Sequence, residues 1–181
     1  MKLGALILKL LVLVYLSYLC VFLATGYTPE QPGYHPPLIV WLIDTINVFI
    51  HEAGHFFFQF FGRWIYIFAG SAFQVLLPLV LAIVTLRQTP AYVGYAGFWV
   101  GENMVNVSPY IRDAPHMKLR LLAKGLTHDW NYLLHDHLDW AESLGDAVLT
   151  IGILICVVSL GAGAYFAVRA YREDTVEITP E

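Results

Sequence analysis

This sequence is short of charge. Asp, Glu, Lys and Arg make up 13% of its 181 residues, against 58% hydrophobic residues. Soluble domains carry about twice that share of charge. A soluble enzyme or binding module is therefore excluded, and an integral membrane protein is expected. No run of Lys or Arg is present, which argues against a nucleic-acid partner. Cysteine is limited to Cys20 and Cys156, in separate apolar segments with no C-x-x-C pair. They form neither a zinc ribbon nor a disulfide framework and read as small packing residues. Linkers, repeats and low-complexity tracts are also lacking, so residues 1–181 read as a single polytopic membrane domain.

Segments able to span a bilayer lie at about 3–25, 38–61, 67–86, 90–110 and 146–168. The expected fold is an all-α integral membrane protein of about five transmembrane helices. Lys2 and Lys9 flank the first span, which suits an uncleaved signal anchor. Pro29, Pro32-Gly33 and Pro36-Pro37 make 26–37 an irregular loop, and Pro36-Pro37 opens the second helix. Residues 111–143 are polar and read as a loop. With a cytoplasmic N-terminus and five crossings, the cytoplasmic face collects Lys2, Lys9, Arg63, Arg112, Lys118, Arg120 and Lys124, seven of the ten basic residues. The other face receives Arg87, Arg169 and Arg172. This bias predicts that loop 111–143 is cytoplasmic.

Into this apolar background the second span inserts His51-Glu52-Ala53-Gly54-His55. H-E-x-x-H on a helix sets two imidazoles one turn apart on one face, able to bind Zn²⁺, with the glutamate between them as general base for water. Asp44, Asn47, His51, His55 and Gln59 follow one another at steps of 3 and 4, so they share one helical face. Polar residues do not face lipid, and this stripe is expected to face the bundle interior or a watery pocket. Gly54 permits close approach of another backbone or serves as a packing glycine. Zinc also needs a third protein ligand and an open position. Asp113, Glu102, His116, His128, Asp129, His135 and His137 are the candidates. Asp113 has the advantage of lying at the end of span four, near the expected level of His55.

Three stretches resemble the site-2 protease family of intramembrane zinc metalloproteases, in particular its small bacterial branch. The first is His51-Glu52-Ala53-Gly54-His55. The second, Gly70-Ser71-Ala72-Phe73-Gln74, is similar to the family's Gly-Pro-x-x-Asn, with Ser71 for Pro and Gln74 for Asn. The third, Asn106-Val107-Ser108-Pro109 followed by Asp113, is similar to Asn-x-x-Pro leading to Leu-Asp-Gly, with the aspartate one residue early and Ala114 for the glycine. The resemblance covers about 38–115 and implies a three-helix zinc-site core built from spans two to four. It implies that His51, His55 and Asp113 bind zinc and that Glu52 is the base. His128-Asp129-Trp130 also resembles a feature of the small branch, and its His-Asp pair offers an alternative way to complete the metal site. The resemblance places the protein in a bacterial inner membrane.

The expected activity is therefore zinc-dependent peptide hydrolysis, acting on membrane-spanning or membrane-proximal protein substrates through a zinc-activated water. Asn106 and Gln74 are candidate donors to the substrate backbone or oxyanion, with interhelical amide contacts as the competing role. Two other classes remain: a non-proteolytic metal-binding membrane protein, which would not need Glu52, and an inactive protease homologue that regulates membrane partners. His135-Asp136-His137 reads as a solvated loop. No oligomeric state follows from the sequence.

Overall fold

The computed structural model describes residues 3–119 and 127–177, with the side chains of 175–177 excepted. These residues form six α-helices: α1 (Leu3–Thr25), α2 (Leu38–Phe58), α3 (Arg63–Gln88), α4 (Val93–Arg112), the short α5 (Asp129–Leu133) and α6 (Ala141–Glu177). No strand occurs among the described residues. α1, α3 and the segment Leu138–Asp174 are long and apolar enough to cross a membrane. Leu8, Val14, Phe49, Leu154 and Val158 project from the bundle surface, as a lipid-facing surface requires. α2 and α4 have 21 and 20 residues, but Asp44, Asn47, Glu102, Asn103 and Asn106 dilute their apolar character. The expected all-helical architecture is present, and among the described residues three helices, rather than five, are long and apolar enough to cross a membrane.

α4 and α6 pack along a seam of small residues. Gly94, Gly97 and Gly101 recur at steps of 3 and 4 and so share one face of α4. A Cβ at Gly94 would sit 3.0 Å from Gly163 Cα, one at Gly101 would sit 2.5 Å from Cys156 Sγ, and one at Gly97 would overlap Ser159 Oγ. Between apolar helices in lipid, such close backbone approach supplies the dispersion contacts that hold them together. Cys20 and Cys156 are both buried and unbridged, as packing residues would be. The core beside the seam contains Leu13, Leu19, Leu23, Phe98, Val105 and Leu160.

The helix directions depart from simple alternation. Lys9 Nζ lies 3.9 Å over the Tyr92 ring, and Tyr95 OH donates to Lys9 O at 3.1 Å, so α1 and α4 start together. They also end together: Asn106 Nδ2 donates to the hydroxyl of Tyr27, just beyond α1, at 2.7 Å. α3 is antiparallel to α4 and also to α2, so α1, α2 and α4 all run toward one end of the bundle. Five alternating crossings would set α1 against both α2 and α4. The cause is the connector 26–37, which folds back along α1. The Tyr34 ring stacks 6.4 Å from Phe22 and meets Tyr27 edge-on at 5.8 Å. Gly33 turns it at φ +82°, a left-handed conformation that costs glycine little.

This topology corrects the charge argument. Lys9, Arg87, Arg169 and Arg172 flank the end remote from His51, while Arg63, Arg112 and Lys118 flank the near end. Lys2, Arg120 and Lys124 lie outside the described residues. The expected seven-to-three asymmetry required Lys9 to share the site's side, so basic residues no longer assign that side to the cytoplasm.

Candidate metal centre

α2 and α3 meet at Gly54, where a Cβ would overlap the Ala69 carbonyl. This close approach sets the HExxH turn against α3 and aims His51 and His55 at Gly70. Their rings stand 4.8 Å apart, nearly perpendicular at 81°. His55 Nδ1 lies 2.7 Å from Tyr66 O. A carbonyl only accepts, so His55 carries its proton on Nδ1 and its Nε2 is free to act as a ligand. His51 Nδ1 lies 3.2 Å from Gln74 Oε1. Gln74 Nε2 donates to Asn106 Oδ1 at 2.8 Å, which leaves the Gln74 oxygen as the acceptor and frees His51 Nε2 in the same way.

Both Nε2 atoms face one oxygen. Asp129 Oδ2 lies 2.8 Å from His51 Nε2 and 3.2 Å from His55 Nε2. The ligand atoms of all three residues fall within 4.8 Å of one another. Two imidazole nitrogens and a carboxylate oxygen that converge in this way could hold a metal ion between them. Imidazole nitrogens and a carboxylate oxygen are common metal-ligand atoms. Gly70 completes the fit: a Cβ there would lie 2.6 Å from His51 Nε2 and 2.7 Å from His55 Nε2, so glycine keeps this space open.

Asp129 reaches the site because the loop is tied down at several points. Trp130 Nε1 donates to Ser71 Oγ at 3.1 Å, Asn131 Nδ2 to Ala114 O at 2.8 Å, and Asp129 N to Tyr110 OH at 3.0 Å. Asp113, expected as the third ligand, does not join the cluster. Its carboxylate accepts from Lys118 N at 2.9 Å and Leu119 N at 2.8 Å, across a turn closed by Met117 at φ +50°. His128 Nε2 approaches it at 3.3 Å. Burial pushes the His128 imidazole down, toward its neutral form. Its Nδ1 accepts from Asn131 N at 3.2 Å and caps α5, so the Nε2 proton points at Asp113. Asp113 thus anchors the chain that delivers Asp129.

The other expected residues are also placed. Glu52 is half-buried beside His51 and lines a cleft of about 350 Å³ together with Asp44, His51, Gln74, Asn106 and Tyr110. No hydrogen bond holds its carboxylate among the described residues. Gln74 and Asn106 line the cleft, but their polar groups are engaged. Asn106 Nδ2 donates to Tyr27 OH and, at 2.8 Å, to Asp44 Oδ1. The amides therefore form a chain from Asp44 to His51 that orients the imidazole. Gln59 leaves the stripe: it lies beyond α2, exposed, with its Nε2 on Phe56 O. His116, His135 and His137 are exposed and remote from the cluster. His135 pairs with Asp136 in solvent at 3.1 Å, as a solvated loop would.

Comparison with family models, curated proteins and solved structures found no match. The functional reading therefore rests on this chain's own geometry. Two features escaped the sequence. The Tyr66 carbonyl carries no side-chain signal, and the role of Gly70 depends on which backbone faces the imidazoles.

The amide chain makes a first prediction. Gln74→Leu removes the acceptor for His51 Nδ1 and should weaken metal binding about 10–100-fold, the usual cost of losing an outer-shell partner. Gln74→Glu keeps an acceptor oxygen there and should stay within a few-fold of wild type. Competition against a chelator reads both. Wild-type affinity in Gln74→Leu would remove Gln74 from the site.

Proposed function

We propose that this protein is a zinc-dependent peptidase that cleaves membrane-embedded or membrane-proximal protein substrates. In this reading His51, His55 and Asp129 hold the metal and Glu52 is the general base. The observation that carries it is the convergence of two imidazole Nε2 atoms and the Asp129 carboxylate beside an unengaged glutamate, at the wall of a cleft. Zinc held there would polarise the scissile carbonyl and allow water to ionise near neutral pH.

The chain's own residues supply the remaining steps. Glu52 takes a proton from the attacking water and returns it to the leaving amine as the C–N bond breaks. The hydroxyl adds to the carbonyl carbon, so water's atoms are divided between the two products. Gln74 and Tyr66 hold the imidazoles in the ligating tautomer. A helical substrate hides its peptide bonds, so the segment that enters the cleft must first unwind. We further read α1, α3, α4 and α6 as the crossing helices, with connector 26–37 and α2 entering from the site end.

Glu52→Gln tests the assignment. Purified in detergent with zinc and presented with membrane-spanning model peptides, the variant should lose about 10²–10⁴-fold in cleavage rate. It should keep wild-type zinc content, because Glu52 is not a ligand. Undiminished cleavage would sink the assignment of Glu52 as base. Zinc binding without cleavage in either protein would favour the non-proteolytic metal-binding class.

A further inference from the structure

The last turns of α1 and α4 and the start of α6 meet at the end of the bundle nearer the metal centre. Between them opens a second cavity of about 490 Å³, which shares only Tyr27 and Pro109 with the cleft at Glu52. α1 and the segment containing α6 are long and apolar enough to cross a membrane, so their ends set this cavity at the bilayer boundary. Leu23, Ala24, Pro109 and Leu149 give it an apolar wall. Its charged groups divide by sign and by element. Arg112, His116 and Lys118 come from the end of α4 and the turn that follows, Glu30 from connector 26–37 and Glu142 from α6. Asp113 also lines it, with its carboxylate already taken up by Lys118 N and Leu119 N. Arg112 is held in place: its Nη1 lies 3.0 Å from Asp146 Oδ1, and its stem crosses α6 at Gly145, where a Cβ would overlap Arg112 Cγ. The other guanidinium N–H groups remain available. The side chains of Glu30, Lys118 and Glu142 make no hydrogen bond or ion pair among the described residues.

A ligand that matches this lining has three parts. It has an apolar end for the wall, an anionic group for Arg112 and Lys118, and a cationic N–H donor for Glu30 and Glu142. Basic pockets at the ends of membrane helices take lipid headgroups, and guanidinium matches phosphate geometry. A purely anionic lipid lacks the third part. With His116 neutral, two cations face the cavity against the carboxylates of Glu30, Asp113 and Glu142, so added negative charge is disfavoured. We propose that this cavity binds one phospholipid with a phosphoethanolamine headgroup. The phosphate sits against Arg112 and Lys118, the ammonium donates to Glu30 and Glu142, and the start of the acyl chains covers the apolar wall. A phosphocholine headgroup has the same phosphate, but its quaternary nitrogen has no N–H to donate, so the two carboxylates select between them.

The test is made on the full chain, purified in detergent. It is mixed with equal amounts of phosphatidylethanolamine, phosphatidylcholine and phosphatidylglycerol of one acyl composition, and the retained lipids are counted by native mass spectrometry. One phosphatidylethanolamine should be retained, favoured about tenfold over phosphatidylcholine. Glu30→Gln combined with Glu142→Gln, both at exposed positions, should erase that preference while phosphatidylcholine still binds. Arg112→Gln should weaken retention of both about tenfold, because each presents the same phosphate. Equal retention of the three lipids by the wild type would overturn the proposal, whether or not any variant folds. Preference for phosphatidylglycerol, or a phosphatidylethanolamine preference that survives the double variant, would overturn it as well. Soluble glycerophosphoethanolamine that displaces the lipid at equal concentration would remove lipid as the occupant. The same follows if the double variant weakens binding of a membrane-spanning model peptide and leaves lipid selectivity unmoved.

Discussion

Gly70→Ala should abolish zinc binding while leaving the helix bundle intact. In the interior of α3 the substitution favours helix by about 1 kcal/mol, so on propensity alone it should stabilise the protein. The added carbon, however, would sit 2.6 Å from both His51 Nε2 and His55 Cε1. Carbon contacts prefer about 3.5–4.0 Å, so the imidazoles must swing away from α3. That movement breaks the shared approach of both Nε2 atoms to Asp129. Metal content and thermal unfolding, measured on one preparation, separate the two effects: zinc lost, folding retained. Wild-type zinc affinity in Gly70→Ala would mean that no metal sits where these two nitrogens meet.

The second large effect distinguishes the two aspartates. Asp129→Ala removes a ligand atom and leaves two imidazoles, fewer than the three protein ligands of zinc sites that keep an open position. Its loss of affinity should exceed the roughly 10–100-fold typical of outer-shell changes. Asp113→Ala should fall within that range, because it loosens the turn at Lys118–Leu119 and the His128 contact without touching the metal. Chelator competition on the two variants reads the order directly. If Asp113→Ala strips zinc and Asp129→Ala retains it, the ligand set is His51, His55 and Asp113, and the docking of α5 seen here is not the metal-bound arrangement.

These two variants also mark how far the sequence could be followed. The apolar runs and the stripe Asp44–Asn47–His51–His55 were legible, because helical periodicity and the cost of polarity in lipid act locally. Gln59 fitted the stripe by spacing but falls past the end of α2, where periodicity no longer places a side chain. Asp113 and Asp129 were both visible as candidates 16 positions apart in one polar segment. Choosing between them needs the fold of that segment. Backbone N–H groups of Lys118 and Leu119 take up the Asp113 carboxylate, and the anchors of Trp130 and Asn131 turn Asp129 inward.

The membrane sidedness shows the same division. Counting Lys and Arg requires knowing which helices end together, and the reversal of connector 26–37 changes that set. A proline-rich stretch announces irregular backbone, but it does not say whether the chain stays at one face or folds back along α1. The sequence by itself determined the all-helical class, the long apolar helices and the two histidines of the candidate metal centre, since each follows from a pattern within one helix. Tertiary structure alone decided the third metal-facing group, the open space at Gly70, the amide chain behind His51 and the direction of α1. Each of these depends on atoms brought together from distant parts of the chain.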